Sequence, residues 1–189
     1  IFFEISSIII RLFPPFICDP IDTNVEKFWG FSASNPILVT KDPNFTVEVP
    51  GARFKEASVR NTELTPKDIQ HLADSLYHSE VIIYVATSIG IDAAVFNKPQ
   101  IMISFDGWKK KPYIESVKRY HNEDHMKKLI NTGGVRVVKS ASELIYWINQ
   151  YLQNPKIDEE GRKKVVKEQL WKLDGKAGER VTQFILSQI

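Results

Sequence analysis

From residue 81 onward the apolar positions fall in short, nearly continuous runs: VIIYVA (81–86), QIMISF (100–105) and VRVV (135–138). A continuously apolar strand is buried on both faces, which is the mark of a parallel sheet under helices. Between the runs the spacing turns helical. Thr65, Pro66 and Asp68 form a helix start, and Ile69, Leu72, Ala73 and Leu76 fall on one face of that helix. A short helix spans 88–96, and an interrupted one spans 116–131 and ends at Gly133-Gly134. Ser140 with Glu143 opens a helix to about Leu152, and two more follow at about 158–171 and 177–188. Upstream, ISSIIIRL (5–12) reads as a β-branched strand stopped by Pro14 and Pro15. Residues 16–64 are punctuated by Pro and Gly, with ILVT (37–40) and FTVEV (45–49) as short strands. The alternation predicts an α/β fold: a Rossmann-like parallel sheet with helices on both faces, in one domain covering 1–189.

Composition narrows the picture by exclusion. A net charge of +2, with Lys and Arg interleaved among Asp and Glu, gives no basic surface for nucleic acid. One cysteine, Cys18, rules out a disulfide framework and a Cys-based zinc site, and fits a reducing, cytoplasmic setting. The opening IFFEISSIIIRLFPPF is broken by Glu4 and Arg11 and falls short of the about 20 apolar residues of a membrane span. It also lacks the basic start and cleavage site of a signal peptide, and it begins with Ile, so the chain reads as a fragment.

Candidate chemistry concentrates at 81–99, VIIYVATSIGIDAAVFNKP. A turn at the carboxyl end of a parallel strand is where open α/β sheets bind ligands. Thr87, Ser88, Ile89 and Gly90 occupy that place, offering hydroxyls and free N–H groups to phosphate oxygens. Gly90 would allow close approach to the backbone. The plainer alternative is that Ser88 is only an N-cap. Asp92 lies one helical turn beyond Ser88, roughly 6 Å along the axis. It either complements the helix dipole or accepts two hydroxyls from a ligand diol.

The segment T-S-x-x-x-D-x-A-x-x-x-K-P, written by Thr87, Ser88, Asp92, Ala94, Lys98 and Pro99, resembles the nucleotide-binding half of GT-B glycosyltransferases. It is most similar to the branch with CDP-glycerol glycerophosphotransferases and other surface-polysaccharide transferases. Asn97 stands where that family has Gly. IIIRLFPP (8–15) resembles the I-R-x-H-P segment opening the donor domain, with Arg11 and Pro14 matching and Phe13 in place of His. DGKAGERVTQFILSQI (174–189) resembles the closing helix, which packs back on the fold and in which Asp174 and Arg180 are structural. The resemblance implies one half of a GT-B fold whose N-terminal acceptor domain is missing. The donor is a nucleotide-diphosphate sugar or CDP-polyol, and the acceptor is a cell-surface glycan or similar molecule. It further implies Arg11 and Thr87 to Gly90 at the phosphates, Asp92 at the ribose or sugar, no separate cofactor, and peripheral membrane association of the full enzyme. The fragment alone is expected to bind nucleotide weakly without turnover. Two alternatives remain: a UDP-N-acetylglucosamine 2-epimerase-like domain, and a non-catalytic α/β interaction domain with a decayed site.

Other residues carry less. Asp106 follows strand 100–105 and is a candidate for the same cleft, or a plain turn residue. Lys109, Lys110 and Lys111, beside Trp108 and Tyr113, read as a solvated loop. His121 and His125 have i, i+4 spacing but lack the intervening Glu of a zinc motif, and no D-x-D metal motif is present. His71 and His78 lie on and just after a capped helix, and His78 reads as structural. Tyr146, Trp147 and Tyr151 read as packing residues. No catalytic residue is assigned.

Overall fold

A computed structural model of the chain describes residues 7–10, 52–53, 62–63, 65–107 and 111–188. The elements are β1 (Ser7–Ile10), β2 (Ala52–Arg53), β3 (Thr62–Glu63), α1 (Pro66–His78), β4 (Val81–Tyr84), α2 (Ile89–Val95) and β5 (Gln100–Ile103). They are followed by a 3₁₀ helix (Val117–Asn122), α3 (Asp124–Asn131), β6 (Arg136–Val138), α4 (Ala141–Gln153), α5 (Glu159–Gln169) and α6 (Ala177–Leu186).

The main sheet has the order β1-β4-β5-β6. β4, β5 and β6 are parallel, with Ile82 opposite Gln100 and Ile101 opposite Arg136. β1 departs from the all-parallel expectation. It is antiparallel to β4, pairing Ser7 with Tyr84 and Ile10 with Val81. An antiparallel edge on a parallel sheet is a common mixture. Its consequence is directional: Ile10, the carboxyl end of β1, lies at the amino end of β4. β2 and β3 form a separate antiparallel pair. The proposed strands at 37–40 and 45–49, together with Arg11, Phe13, Pro14 and Cys18, lie outside the described residues.

Successive strand residues point to opposite faces, and both faces are covered as expected. Ile82, Tyr84 and Met102 pack with Leu76 of α1, Ala93 of α2, Met126 and Leu129 of α3, and Val165 of α5. Val81, Ile83, Ile101, Ile103 and Val138 pack with Leu144 and Tyr151 of α4. α2 and α3 connect neighbouring parallel strands and step the same way across the sheet, so same-handed crossovers place both on one face. All four residues of β4 are buried. Each such side chain contributes about 1.5–3 kcal/mol when enclosed, and here helices enclose it from both sides.

Local signals hold in detail. Thr65 Oγ1 accepts from the Asp68 N–H at 3.3 Å, and Asp68 Oδ2 accepts from the Thr65 N–H at 2.8 Å. Ser140 caps α4 by accepting from the Glu143 N–H at 3.2 Å, while Glu143 Oε2 reaches the Lys139 N–H at 2.7 Å. Of the apolar stripe on α1, only Leu76 is buried, and Ile69 is 58% exposed. One expectation fails. α6 does not pack back on the fold: it has no buried residue, and Val181, Phe184 and Ile185 are exposed. Arg180 does bind Asp174, at 2.8 Å, in the structural role expected of both. Of the three aromatics on α4, Tyr151 is buried, Trp147 packs against the same face, and Tyr146 is exposed.

α5 is fastened from several sides. Gly134 and Gly161 meet backbone to backbone; a Cβ on Gly134 would stand 2.6 Å from the Gly161 carbonyl carbon. Arg136 Nε donates to Asp158 Oδ2 at 2.9 Å, and Tyr151 Oη donates to the same oxygen at 2.7 Å. The Arg136 guanidinium also lies 4.0 Å from the centre of the Trp147 ring. This cluster ties β6, α4 and the start of α5 together.

Candidate functional site

Parallel strands bring their carboxyl ends to one edge. At that edge lie the turn after β4 with Thr87 and Ser88, the loop after β5 with Asp106, and Ser140 after β6. The chain leaves β4 through a bend, and Ser88 already has helical angles, φ −66° and ψ −11°. The Ile91 N–H closes onto the Ser88 carbonyl at 2.8 Å. This early closure removes the geometry a side-chain cap needs, and Ser88 makes no cap hydrogen bond, contrary to the hydroxyl-capped helix read from the sequence. The Ser88 side chain is therefore exposed and uncommitted, with half-buried Thr87 beside it.

Asp92 is one turn along the same helix face. Partial desolvation raises its carboxyl above the ordinary carboxylate value, while the residue as a whole is exposed. Thr87 and Ser88 lie at the sheet edge, with Asp92 one turn further along α2.

Ile89 and Gly90 are buried, and Gly90 meets a packing need. A Cβ there would overlap the Tyr84 hydroxyl and stand 2.7 Å from Tyr84 Cζ and 3.0 Å from Gln100 Oε1. Its missing side chain makes room for the core beneath. Arg11 lies outside the described residues; Ile10 pairs with Val81, at the far end of β4 from Thr87.

Asp106 stands at the carboxyl end of β5, but it serves its own loop. Its Oδ1 accepts from the Val117 N–H at 2.9 Å, fixing the start of the 3₁₀ helix. Burial pushes its carboxyl up, yet the Val117 N–H, the Ser116 hydroxyl, the Lys111 backbone and the Lys118 charge together hold it below the ordinary value. The plain-turn alternative describes it better than a cleft acid.

His121 folds back toward β5. Burial lowers its pKa, partly countered by a hydrogen bond to the Ile103 backbone, and its Nε2 is buried with no partner among the described residues. His125 is exposed and lies 3.6 Å from Glu123 instead. The two histidines do not converge, and among the described residues no group of three or more His, Cys, Asp or Glu side chains is placed to hold a metal ion. His78 ends α1 and meets the Tyr77 ring edge-on at 5.0 Å.

Sequence reasoning passed over Gln100 and Arg162. Gln100 is fully buried and bonded to Tyr84. Arg162 is fully buried and bonded to Asn97, Ile157 and Pro155. Gly161 within a helix was the one available hint, since an interior Gly weakens a helix unless close packing demands it.

Among the described residues no helix is long and apolar enough to cross a membrane. No protein-family model, curated protein or solved structure matches the chain.

Proposed function

We propose that this chain is the donor-nucleotide-binding half of a glycosyltransferase of the GT-B type. The complete enzyme would transfer a sugar or polyol-phosphate from a nucleotide-activated donor to a cell-surface glycan or similar acceptor. One observation carries the reading: at the carboxyl edge of the parallel strands, half-buried Thr87 and exposed Ser88, which makes no cap hydrogen bond, are followed one helical turn later by exposed Asp92. In this reading the Thr87 and Ser88 hydroxyls and the neighbouring N–H groups hold the diphosphate, and Asp92 accepts the ribose or sugar hydroxyls. Preorganised donors at that place stabilise charge developing on the leaving phosphate as the donor bond breaks. Acceptor binding falls to a second domain, so this chain binds donor without turning it over.

A non-catalytic interaction domain is the second reading. Phe13, in the position of a family His, and the unburied apolar face of α6 favour it.

Titration of the chain with UDP, CDP and GDP separates the two, with Ser88→Ala and Asp92→Ala as controls. The donor reading expects at least one nucleotide to bind and both substitutions to weaken it. Silence toward all three at millimolar concentration sinks it. Binding that survives both substitutions moves the site elsewhere.

A further inference from the structure

A polar pair is enclosed in the core beneath α2. Tyr84 and Gln100 lie on neighbouring strands, and both are fully buried. Tyr84 Oη donates to Gln100 Oε1 at 3.1 Å, while Gln100 Nε2 has no partner among the described residues. Apolar side chains of similar shape would suit this core at least as well, because a buried donor left over is unfavourable. A half-satisfied buried pair calls for an explanation beyond stability.

Its geometry supplies one. The hydroxyl end of Tyr84 and the amide of Gln100 press on Gly90, with no room left for a Cβ between them. Gly90 is two residues beyond Ser88 and in the first turn of α2. The height of that turn above β4 is therefore set by the tip of Tyr84, which Gln100 holds in place.

We propose that Tyr84 and Gln100 are positioning residues that act through Gly90 to place the Thr87–Ser88 turn against its ligand. The proposal rests on the reading above that this turn takes a nucleotide diphosphate. The pair touches no ligand itself.

The test compares the full chain with Gly90→Ala, with Tyr84→Leu/Gln100→Leu, and with all three substitutions together. Amide shifts of residues 87–92, affinity for UDP and CDP, and Tm are followed in each. In the natural background Gly90→Ala is expected to displace those amides and weaken nucleotide binding about tenfold or more. Tyr84→Leu/Gln100→Leu is expected to weaken binding and also to lower Tm, because the lost ring leaves a cavity, so the response to Gly90→Ala in the two backgrounds carries the distinction from a purely structural pair. In that background Gly90→Ala should change affinity less than about twofold, since the atoms it would meet are gone. Equal loss from Gly90→Ala in both backgrounds overturns the positioning role. So do unmoved amides in Gly90→Ala. If the natural chain binds no nucleotide, the donor reading fails, and the amide comparison still decides whether Tyr84 and Gln100 act through Gly90.

Discussion

Arg162 Nε donates to Asn97 Oδ1 at 2.8 Å, joining α5 to the turn between α2 and β5. Asn97 has φ +53°, and the N–H groups of Asn97 and Lys98 close onto the Ala94 and Ala93 carbonyls, each at 3.0 Å. This is a Schellman ending, in which the left-handed residue is usually Gly and sometimes Asn. Asn serves here because its side chain also receives the buried guanidinium. Arg162 makes two further bonds, to the Ile157 and Pro155 carbonyls at 2.6 and 2.7 Å. Arg162→Leu would leave those partly buried acceptors without their donor and is expected to lower stability by about 1–3 kcal/mol, read from chemical denaturation. Asn97→Ala should be more destabilising than Asn97→Gly by about 1 kcal/mol, because only Ala meets the left-handed penalty. Equal effects would contradict the strained-turn account.

Gly161 faces Gly133 and Gly134 with no space for a side chain. Gly161→Ala therefore forces α5 away from that turn even though Ala is the better helix former. The expected loss is about 1–3 kcal/mol in denaturant melts, the range for overpacking. A gain in stability would show that helix propensity, and not the close approach, governs the position.

Asp92 is exposed, with a carboxyl partly desolvated by its neighbours. Its carboxyl is raised by desolvation, so the charged form is disfavoured in the fold. A raised acid pKa means that stability falls as pH rises through the range between the unfolded value, about 3.9, and the higher folded one. Asp92→Asn is expected to raise Tm at pH near 7 and to lose that advantage in acid, while weakening nucleotide binding. Thermal melts and titrations on the same samples read both effects. A lower Tm at neutral pH would contradict the desolvated-acid account.

Asp106 behaves in the opposite sense. Burial opposes its ionisation, but its loop donors prevail and the folded pKa is depressed. Its contribution to stability is present above the unfolded value and is lost as pH falls through the folded one, below about 4. Asp106→Asn should lower Tm near pH 7, with the gap to the natural chain closing in strong acid. Nucleotide affinity should change little, because the carboxylate is turned to Val117 and Ser116 and not to the ligand turn. A large loss of affinity with unchanged Tm would return Asp106 to the cleft.

The sheet was legible in the sequence where it is parallel. VIIY is apolar throughout, and QIMI and RVV are apolar apart from Gln100 and Arg136, because helices cover both faces, and hydrophobic runs report that directly. The direction of β1 was not legible: SIII reads the same in either sense, and direction is set by what it pairs with. The stripe on α1 was legible, but periodicity shows only which residues align and not how much of the helix docks. At the candidate site, the order of Thr87, Ser88 and Asp92 was legible because a turn after an apolar strand has a recognisable order of residue types. The packing task of Gly90 was not legible, because a missing side chain looks the same whether a ligand or a tyrosine takes the space. Tyr84, Gln100 and Arg162 were hidden because their bonds join strands and helices far apart in the chain, 16 and 65 residues for the two side-chain pairs.

The most direct measurement is an amide-shift titration of the ¹⁵N-labelled chain with CDP, UDP and GDP. The donor-domain account expects saturable shifts centred on Thr87, Ser88, Ile89, Gly90 and Asp92, reduced in Ser88→Ala and Asp92→Ala. Absence of any shift at millimolar nucleotide, or shifts centred away from the carboxyl end of β4, would contradict it.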